Sequence, residues 1–419
     1  MERAFKFKLL PTPKQAIKLL NSLDACRHLH NAALEERITA WKCCRKRITY
    51  KMQSKEIPEI MKAYPEFKSV QHHVLQRALK RLDRAYAAFF KRIGDRKAGK
   101  NACKVGFPRF KGRNRYRTLE FDRTAFSLKG DQLRLSKVGT SKVVLHRSIP
   151  KEAVVSVAYV KRDAVGDWWV MFSLELPDAP VRTPKTAIGV DVGLLHLATC
   201  SDGTVFEPVR SLKSGLKRLR REQRRLSRRK KGGTNRERQR VIVARTHRTI
   251  ERRRSDWLNK VSRKLADSAD VVVFEDLRVK NMLQNRCLSR AISDAAWGEL
   301  IRKTTYKAEG AGGMVLRVKT QDSSQECSNC GRMVQKDLSE RTHRCVCGTV
   351  MDRDLNSAIV IVKRGIGKLQ GIVPTFCGVS HDCAAPTGGT PGRDACGETG
   401  NTAARAVAPD LVEAGSPPF

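Results

Sequence analysis

Long apolar runs and negative charge are both scarce in this sequence of 419 residues. No apolar segment approaches the roughly 20 residues that a membrane-spanning helix needs, so we expect no membrane anchor. The first residues, Met1 to Lys6, alternate between polar and apolar side chains and lack the apolar block of a secretion signal. These absences predict a soluble protein of the cytoplasm.

The shortage of acidic residues points to a polyanionic partner. The chain has 42 Asp and Glu residues against 83 Lys and Arg residues, which gives a formal net charge of +41. A folded chain tolerates such self-repulsion best when a polyanion is bound, so nucleic acid is the first partner to consider. Hydrophobic residues make up 40% of the chain, which favours a globular protein of two or three domains over a disordered one.

We expect the cysteines to form no disulfide framework, because their number, 13, is odd and no export signal is visible. Cys327 and Cys330 have two residues between them, and Cys345 and Cys347 follow after fourteen residues. Four thiolates on two turns predict a tetrahedral structural zinc site. The second pair is one residue shorter than usual, so His343 is an alternative ligand, and reduced structural thiols are the alternative to a metal.

The first part of the chain predicts a β-rich unit with helices inserted. Residues 2–10 alternate apolar and cationic side chains, as in a half-buried strand. Thr12 and Gln15 match a helix-capping pattern, and we expect helices between about residues 12 and 105. Short alternating runs between residues 118 and 176 predict further strands. We expect these to form a small barrel that the first strand joins.

Two cationic stretches are candidates for binding a phosphate backbone. Residues 106–111 interleave aromatic and cationic side chains, which suits gripping phosphate while stacking on bases, although a plain basic loop is the alternative. Residues 210–268 predict a helical hairpin whose outer surface is almost wholly cationic, and runs of one sign favour a bound backbone over mere solvation. The candidate contacts are Lys6, Lys8, Arg109, Lys111, Arg224, Arg225, Arg228 and Arg229.

Three acidic residues lie at the edges of apolar elements in this cationic chain. Asp191 and Glu275 each follow an apolar strand, and Asp354 opens an apolar helix. Two neighbouring strands and a helix packed on them can bring three such side chains together. Oxygen ligands suit Mg²⁺, and a pair of ions roughly 4 Å apart suits phosphodiester hydrolysis. The alternative is that each acid is a helix cap or a surface charge.

Asp352 competes with Asp354 for the third position. Two residues within a helix differ in direction by about 200°, so we expect one of them to face the pocket and the other to cap the helix. We also expect Asp276 to point away from Glu275. The helix that starts at Asp354 is expected to stop at Gly365. Residues 293–307 are expected to form a single helix. From about residue 369 the sequence has no apolar period, which predicts a disordered tail.

Taken in order, several motifs resemble the TnpB family of transposon-encoded proteins, relatives of miniature type V CRISPR effectors. The motifs are residues 5–13, 106–111, 189–194, 274–277, 320–331 and 352–358. The family's three acids correspond to Asp191, Glu275 and Asp354, and its D-x-N-A-A motif favours Asp354 over Asp352. The chain departs from the family in the shortened second cysteine pair and in Ser357, where Ala is usual.

This resemblance implies an α+β multidomain fold. The expected parts are an N-terminal recognition region (1–180) with a β-barrel-like unit, a RuvC/RNase H-like nuclease domain (181–368) and a tail (369–419). The nuclease domain would contain the basic hairpin (210–268) and a zinc ribbon (322–350).

The implied activity is RNA-guided cleavage of DNA next to a short transposon-adjacent motif. It implies two catalytic Mg²⁺ ions, one structural Zn²⁺ ion, a guide RNA and a double-stranded DNA target, and a place near the prokaryotic nucleoid. A transposase that joins DNA ends and a non-cleaving regulator of transposition are the alternatives. The sequence predicts neither the oligomeric state nor the identity of the guide.

Overall fold

The structure, a computed structural model, describes residues 2–99, 105–178, 180, 183–319, 322–337 and 340–370. In these ranges the strands are β1 (Glu2–Leu10), β2 (Thr118–Asp122), β3 (Phe126–Lys129), β4 (Gln132–Leu135), β5 (Gly139–Val144), β6 (Val154–Arg162), β7 (Trp168–Glu175), β8 (Ala187–Asp191), β9 (Ala198–Cys200), β10 (Val205–Phe206), β11 (Val271–Glu275), β12 (Met314–Val318), β13 (Thr342–Arg344) and β14 (Val350–Asp352). The helices are α1 (Pro13–Cys44), α2 (Tyr50–Ala63), α3 (Pro65–Lys68), α4 (His72–Lys97), α5 (Ser211–Ser227), α6 (Thr234–Ser268), α7 (Val279–Met282), α8 (Ser289–Ala295), α9 (Trp297–Gly310) and α10 (Arg353–Gln370). None of these described helices is long and apolar enough to cross a membrane.

The first sheet is a seven-stranded, antiparallel, barrel-like unit with the order β2-β6-β7-β1-β5-β4-β3. The amino-terminal strand β1 lies near its middle and pairs with β7 on one side and β5 on the other. Phe7 and Leu9 are buried while Lys6 and Lys8 are exposed, as the alternating pattern predicts. The first strand therefore joins the strands formed more than a hundred residues later.

Four helices are inserted between β1 and β2. Helix α1 begins with the predicted cap: Gln15 donates its backbone N–H to the Thr12 hydroxyl, and the Thr12 N–H donates to the Gln15 side chain. Leu19 of α1 and Leu79 of α4 share one apolar core with Phe172 of β7. The inserted helices are thus packed onto the sheet.

The second sheet has five strands in the order β10-β9-β8-β11-β12. Strands β8, β11 and β12 run parallel, and β9 and β10 are antiparallel to their neighbours. Helices α5 and α6 connect β10 to β11, and α7 to α9 connect β11 to β12. Strands β8 and β11 therefore lie inside the sheet, with a paired strand on each side.

Helices cover both faces of this sheet. On one face Val272 and Phe274 share a core with Leu258 of α6 and Leu300 of α9. On the other face Val273 packs with Ile361 of α10. Consecutive residues of a strand point to opposite faces. Every second residue of β11, counted from Val273, therefore points toward α10.

Two predictions of helix ends were wrong. Helix α10 does not stop at Gly365 but continues to Gln370, because Gly365 gives α10 room to lie against β11: a Cβ there would meet Val273 at 2.5 Å. The predicted helix near residue 293 is divided into α8 and α9 at Ala296, whose φ is 53°. The tail was predicted to begin at residue 369, but residues 369 and 370 belong to α10, and residues 371–419 lie outside the described residues.

Candidate metal and nucleic-acid sites

Asp191 and Glu275 end two adjacent strands side by side. Strands β8 and β11 are parallel, with Val190 opposite Phe274, so the next residue on each strand is Asp191 and Glu275. Residues in register on neighbouring strands point to the same face of a sheet. The two carboxylates therefore lie together at the carboxyl ends of these strands.

Both carboxylates point to the face that α10 covers. Gly189 lies two residues before Asp191 and so points the same way; a Cβ there would meet the Ala358 carbonyl of α10 at 2.1 Å. Val273, two residues before Glu275, packs against Gly365 of the same helix. Helix α10 thus lies directly on this face, with its amino-terminal turn at the acidic strand ends.

The start of α10 separates the roles of Asp352 and Asp354. Oδ1 of Asp352 accepts hydrogen bonds from the backbone N–H groups of Asp354 (2.8 Å) and Leu355 (3.1 Å), so Asp352 caps the helix. Asp354 is in the first helical turn, and its charge acts on Asp191. We expected one of these two acids to cap the helix, and that acid is Asp352. Asp276 follows the last residue of β11; it is exposed, and its Oδ1 lies 3.7 Å from Nη1 of Arg317.

Burial and the neighbouring acids make it costly for Asp191 to carry a negative charge. Burial, followed by the charges of Glu275 and Asp354, raises the pKa of Asp191 to about 8. Burial also raises the pKa of Glu275, although a hydrogen bond from the Ser323 hydroxyl opposes this shift. Asp354 lies 3.6 Å from Nε of Arg353. Negative charge is therefore costly here without a cation.

The donor set suits a hard divalent cation. Asp191, Glu275 and Asp354 offer carboxylate oxygens, which Mg²⁺ prefers. A bound cation would stabilise the charged form of Asp191, whose pKa is raised by burial and then by the two neighbouring acids. The three carboxylates are less tightly grouped than the cysteines. In the described ranges, the four cysteines are the one group of three or more His, Cys, Asp or Glu side chains close enough to hold a single ion.

The four predicted cysteines come together. Their sulfur atoms lie within 4.8 Å of one another, with Cys327 and Cys347 3.7 Å apart and Cys330 and Cys345 3.5 Å apart. Zinc–sulfur bonds of about 2.3 Å in a tetrahedron require sulfur atoms about 3.8 Å apart. The four thiols therefore fit a zinc ion, even though Cys345 and Cys347 have one residue fewer between them than is usual. His343 is buried and outside this group.

The candidate phosphate contacts lie on three parts of the molecule. Lys6 and Lys8 are exposed on β1, and Lys6 lies 4.6 Å from the centre of the Trp169 ring. Arg109 is exposed on its loop, and Lys111 is half-buried beside it. The other four are exposed on α5 or just after it: Arg224, Arg225, Arg228 and Arg229.

The basic hairpin packs through an apolar seam. Leu219 of α5 contacts Val243 and Ile250 of α6 in a small core. Glu222 is buried, accepts a hydrogen bond of 2.9 Å from Gln239 and lies 3.4 Å from Arg225. Outside this core, most of the exposed side chains of α5 are arginine and lysine.

Sequence reasoning missed three residues around the acids. Ser323 donates a hydrogen bond to Glu275, and Arg353 lies beside Asp354. Asn356 is fully buried and joins α10 to the first cysteine turn. Ser323 carries no periodic signal, whereas Arg353 and Asn356 stand in the motif of residues 352–358 and could have been found there.

Family models match three stretches of the chain. Residues 171–286 match a family described as "Probable transposase", and residues 297–361 match "Cas12f1-like, TNB domain". Residues 1–47 match "Helix-turn-helix domain", although the structure forms β1 and the single helix α1 there.

Curated proteins resemble nearly the whole chain. A protein of Streptomyces pristinaespiralis named "Putative RNA-guided DNA endonuclease" is 35% identical over 87% of this chain and 90% of its own. The "Putative RNA-guided DNA endonuclease InsQ" of Escherichia coli K12 is 31% identical over 87% and 92%. Among solved structures, a Cas12f1–sgRNA–target DNA complex matches with a TM-score of 0.50 and 14% identity over 82% of each chain, a likeness of fold alone.

Proposed function

Because this chain belongs to the TnpB family of transposon-encoded proteins, we propose that it is an RNA-guided DNA endonuclease that cuts beside a short transposon-adjacent motif. The observation that carries the proposal is the convergence of Asp191, Glu275 and Asp354 in a chain of net charge +41. Both features are what cleavage of a polyanion needs.

We assign residues 181–368 to a RuvC-like nuclease domain and residues 1–180 to nucleic-acid recognition. The order of the second sheet supports the first assignment, because antiparallel strands β10 and β9 followed by parallel β8, β11 and β12 place two acids at neighbouring strand ends. The likeness of fold to the Cas12f1 complex supports it as well. The zinc ribbon of residues 322–350 is inserted just before α10.

In this proposal Asp191, Glu275 and Asp354 hold two Mg²⁺ ions. Such a pair supplies a nucleophilic water and stabilises the leaving oxygen of the phosphodiester. The chain's own contribution is to fix the carboxylates: the strand register sets Asp191 beside Glu275, and the cap on α10 sets Asp354. The cysteines hold Zn²⁺ as a scaffold, since a site of four thiolates has no open position for substrate.

The basic hairpin would hold an RNA–DNA duplex by its backbone. Its apolar seam is internal, so the many cations of α5 and α6 are free to face outward toward phosphates. Sequence choice is then left to base pairing between guide and target, as in other RNA-guided effectors. We expect binding to weaken strongly as salt rises.

The test is to purify the full chain with its RNA, sequence that RNA and offer a matched DNA target with Mg²⁺. We expect cleavage, and we expect Asp191→Ala or Glu275→Ala to abolish it while RNA binding remains. Asp276→Ala is the matched control, because this neighbouring acid is exposed and paired with Arg317. It should cut like the wild type.

Three results would overturn the proposal. A matched target left uncut by the wild type across a magnesium titration would favour a non-cleaving regulator. Cleavage that is equal in the wild type and in the triple alanine variant would place the chemistry elsewhere. Joined DNA ends formed by the protein alone would favour a transposase.

A further inference from the structure

An aromatic cluster outside the proposed cleavage site lies where the end of α4 meets the loop of residues 105–113. Tyr86, Phe89 and Phe90 come from α4, and Phe107 comes from the loop. Tyr86 and Phe89 each contact both Phe90 and Phe107, with ring centroids between 5.1 and 6.2 Å apart. Every ring therefore touches two others, and the four form a closed set.

Half of this aromatic cluster faces solvent. Phe90 is 56% exposed and Phe107 is 45% exposed, while Tyr86 and Phe89 are half-buried beneath them. Phe110, three residues after Phe107, is 53% exposed. A patch of exposed apolar side chains on a protein surface often marks a binding site.

The aromatic cluster is held in place by polar contacts on both sides. Asn31 of α1 clamps the loop through Lys111, donating to its carbonyl (3.0 Å) and accepting from its N–H (2.8 Å). The guanidinium of Arg37 lies 5.2 Å from the centre of the Tyr86 ring. Exposed rings that are already fixed lose little conformational freedom when a ligand binds.

The charges around the aromatic cluster select the ligand. Residues 84–97 and 105–113 contain eight lysines and arginines and one acid, Asp95. Arg92 and Arg109, next to the exposed rings, are themselves exposed. An unpaired nucleotide offers a flat base for the rings and a phosphate for the cations, whereas a duplex hides the faces of its bases.

We propose that Phe90, Phe107 and Phe110 form a stacking platform for unpaired nucleotides, with Arg92 and Arg109 on the flanking phosphates. A single-stranded part of an RNA and a displaced DNA strand both offer this chemistry. The proposal rests on the proposed function only in requiring that the chain binds nucleic acid, and it requires no cleavage.

The experiment uses the full chain, freed of co-purifying nucleic acid in high salt, and fluorescent oligonucleotides of one length: oligo-rU, oligo-dT and an abasic DNA with the same phosphates. The wild type should bind at least one of the base-bearing strands about tenfold or more tightly than the abasic one. Phe90→Leu/Phe107→Leu should remove that preference and leave the affinity for the abasic strand unchanged. Phe90→Trp/Phe107→Trp should retain the preference, because both rings remain.

The matched control is Tyr64→Leu, which removes a ring that is 55% exposed at the end of α2. It should bind all strands like the wild type. A stronger preference for oligo-rU identifies an RNA as the source of the nucleotides, and one for oligo-dT identifies a DNA strand.

Two results would overturn the proposal: equal wild-type binding of base-bearing and abasic strands, or a leucine double variant that keeps the preference while melting like the wild type. A change from dimer to monomer in the leucine variant, with the base preference intact, would also overturn it and assign the surface to a second copy of the chain. Guided DNA cleavage by the wild type is measured separately, so its absence alongside a base preference would count against the nuclease and not against the platform.

Discussion

Oδ1 of Asn356 accepts a hydrogen bond of 2.9 Å from the backbone N–H of Ser328. The amide of the same side chain donates to the Glu326 carbonyl at 2.7 Å. Asn356 is fully buried, and it lies two residues after Asp354 on α10. One side chain therefore ties the first cysteine turn to the helix that carries the third acid.

Replacing Asn356 should weaken the packing of α10 against the first cysteine turn. Asn356→Ala leaves the buried N–H of Ser328 and the half-buried carbonyl of Glu326 without this partner, and one buried unpaired group costs about 1–3 kcal/mol. We expect a lower melting temperature and weaker cleavage, with the zinc content retained. Arg332→Ala is the control, because Arg332 is exposed just after the same turn, and this variant should melt like the wild type. Equal melting of both variants would contradict the role of Asn356.

The sequence predicts well those features that depend on hydrophobic periodicity or on local capping motifs. The alternation of Phe7 and Leu9 predicts their burial on β1, and the cap at Thr12 predicts the start of α1. The gathering of the acids was also expected, while their catalytic role stays a prediction. Gly365 was misread because a missing side chain is compatible with a helix stop and with close packing, and only the position of Val273 distinguishes them. Ser323 was missed because its partner, Glu275, is 48 residues away.

Gly189 should not tolerate a side chain. A Cβ there would meet the Ala358 carbonyl at 2.1 Å and the Val362 nitrogen at 2.7 Å, and neither backbone atom can move without shifting α10. We expect Gly189→Ala to move Asp354 away from Asp191, to abolish cleavage and to lower the melting temperature. Gly298→Ala is the control, because a Cβ there has open space, and alanine favours a helix by about 1 kcal/mol over glycine. Cleavage by Gly189→Ala at the wild-type rate would contradict the packing argument.

Removing one of the four clustered cysteines should destabilise the proposed zinc ribbon. Structural zinc sites contribute folding energy directly, so Cys327→Ser is expected to lower the zinc content and the melting temperature. Cys287→Ser, an exposed cysteine outside the cluster, should change neither. Zinc would be measured by metal analysis of the purified chain. Equal melting of the wild type with and without a chelator would count against a zinc site.

His30 should make the protein acid-sensitive. Its side chain is 2% exposed, and burial, with the nearby charge of Lys111 as a smaller cause, lowers its pKa to about 4. The unfolded chain takes up a proton below a pKa of about 6.5 while the folded chain does not, so stability falls as the pH drops from 6.5 to 4, by about 3 kcal/mol. His30→Gln should flatten this part of the pH profile in chemical denaturation, and His28→Gln, at an exposed position, should not. A profile that is unchanged in His30→Gln would refute the assignment.

Asp191→Asn should abolish cleavage and yet stabilise the protein in magnesium-free buffer. The pKa of Asp191 is raised to about 8, so between pH 4 and 8 the folded chain holds a proton that the unfolded chain releases, and the wild type loses stability as the pH rises through this window. The uncharged amide removes that loss, so the difference in melting temperature should widen toward pH 9. Magnesium should then raise the melting temperature of the wild type and leave that of Asp191→Asn nearly unchanged, because one ligand of the cation is missing. Asp276→Asn, at the exposed neighbouring acid, should behave like the wild type throughout. If Asp191→Asn melts below the wild type at pH 9 without magnesium, burial and the charges of Glu275 and Asp354 do not penalise a charged Asp191, and the argument fails.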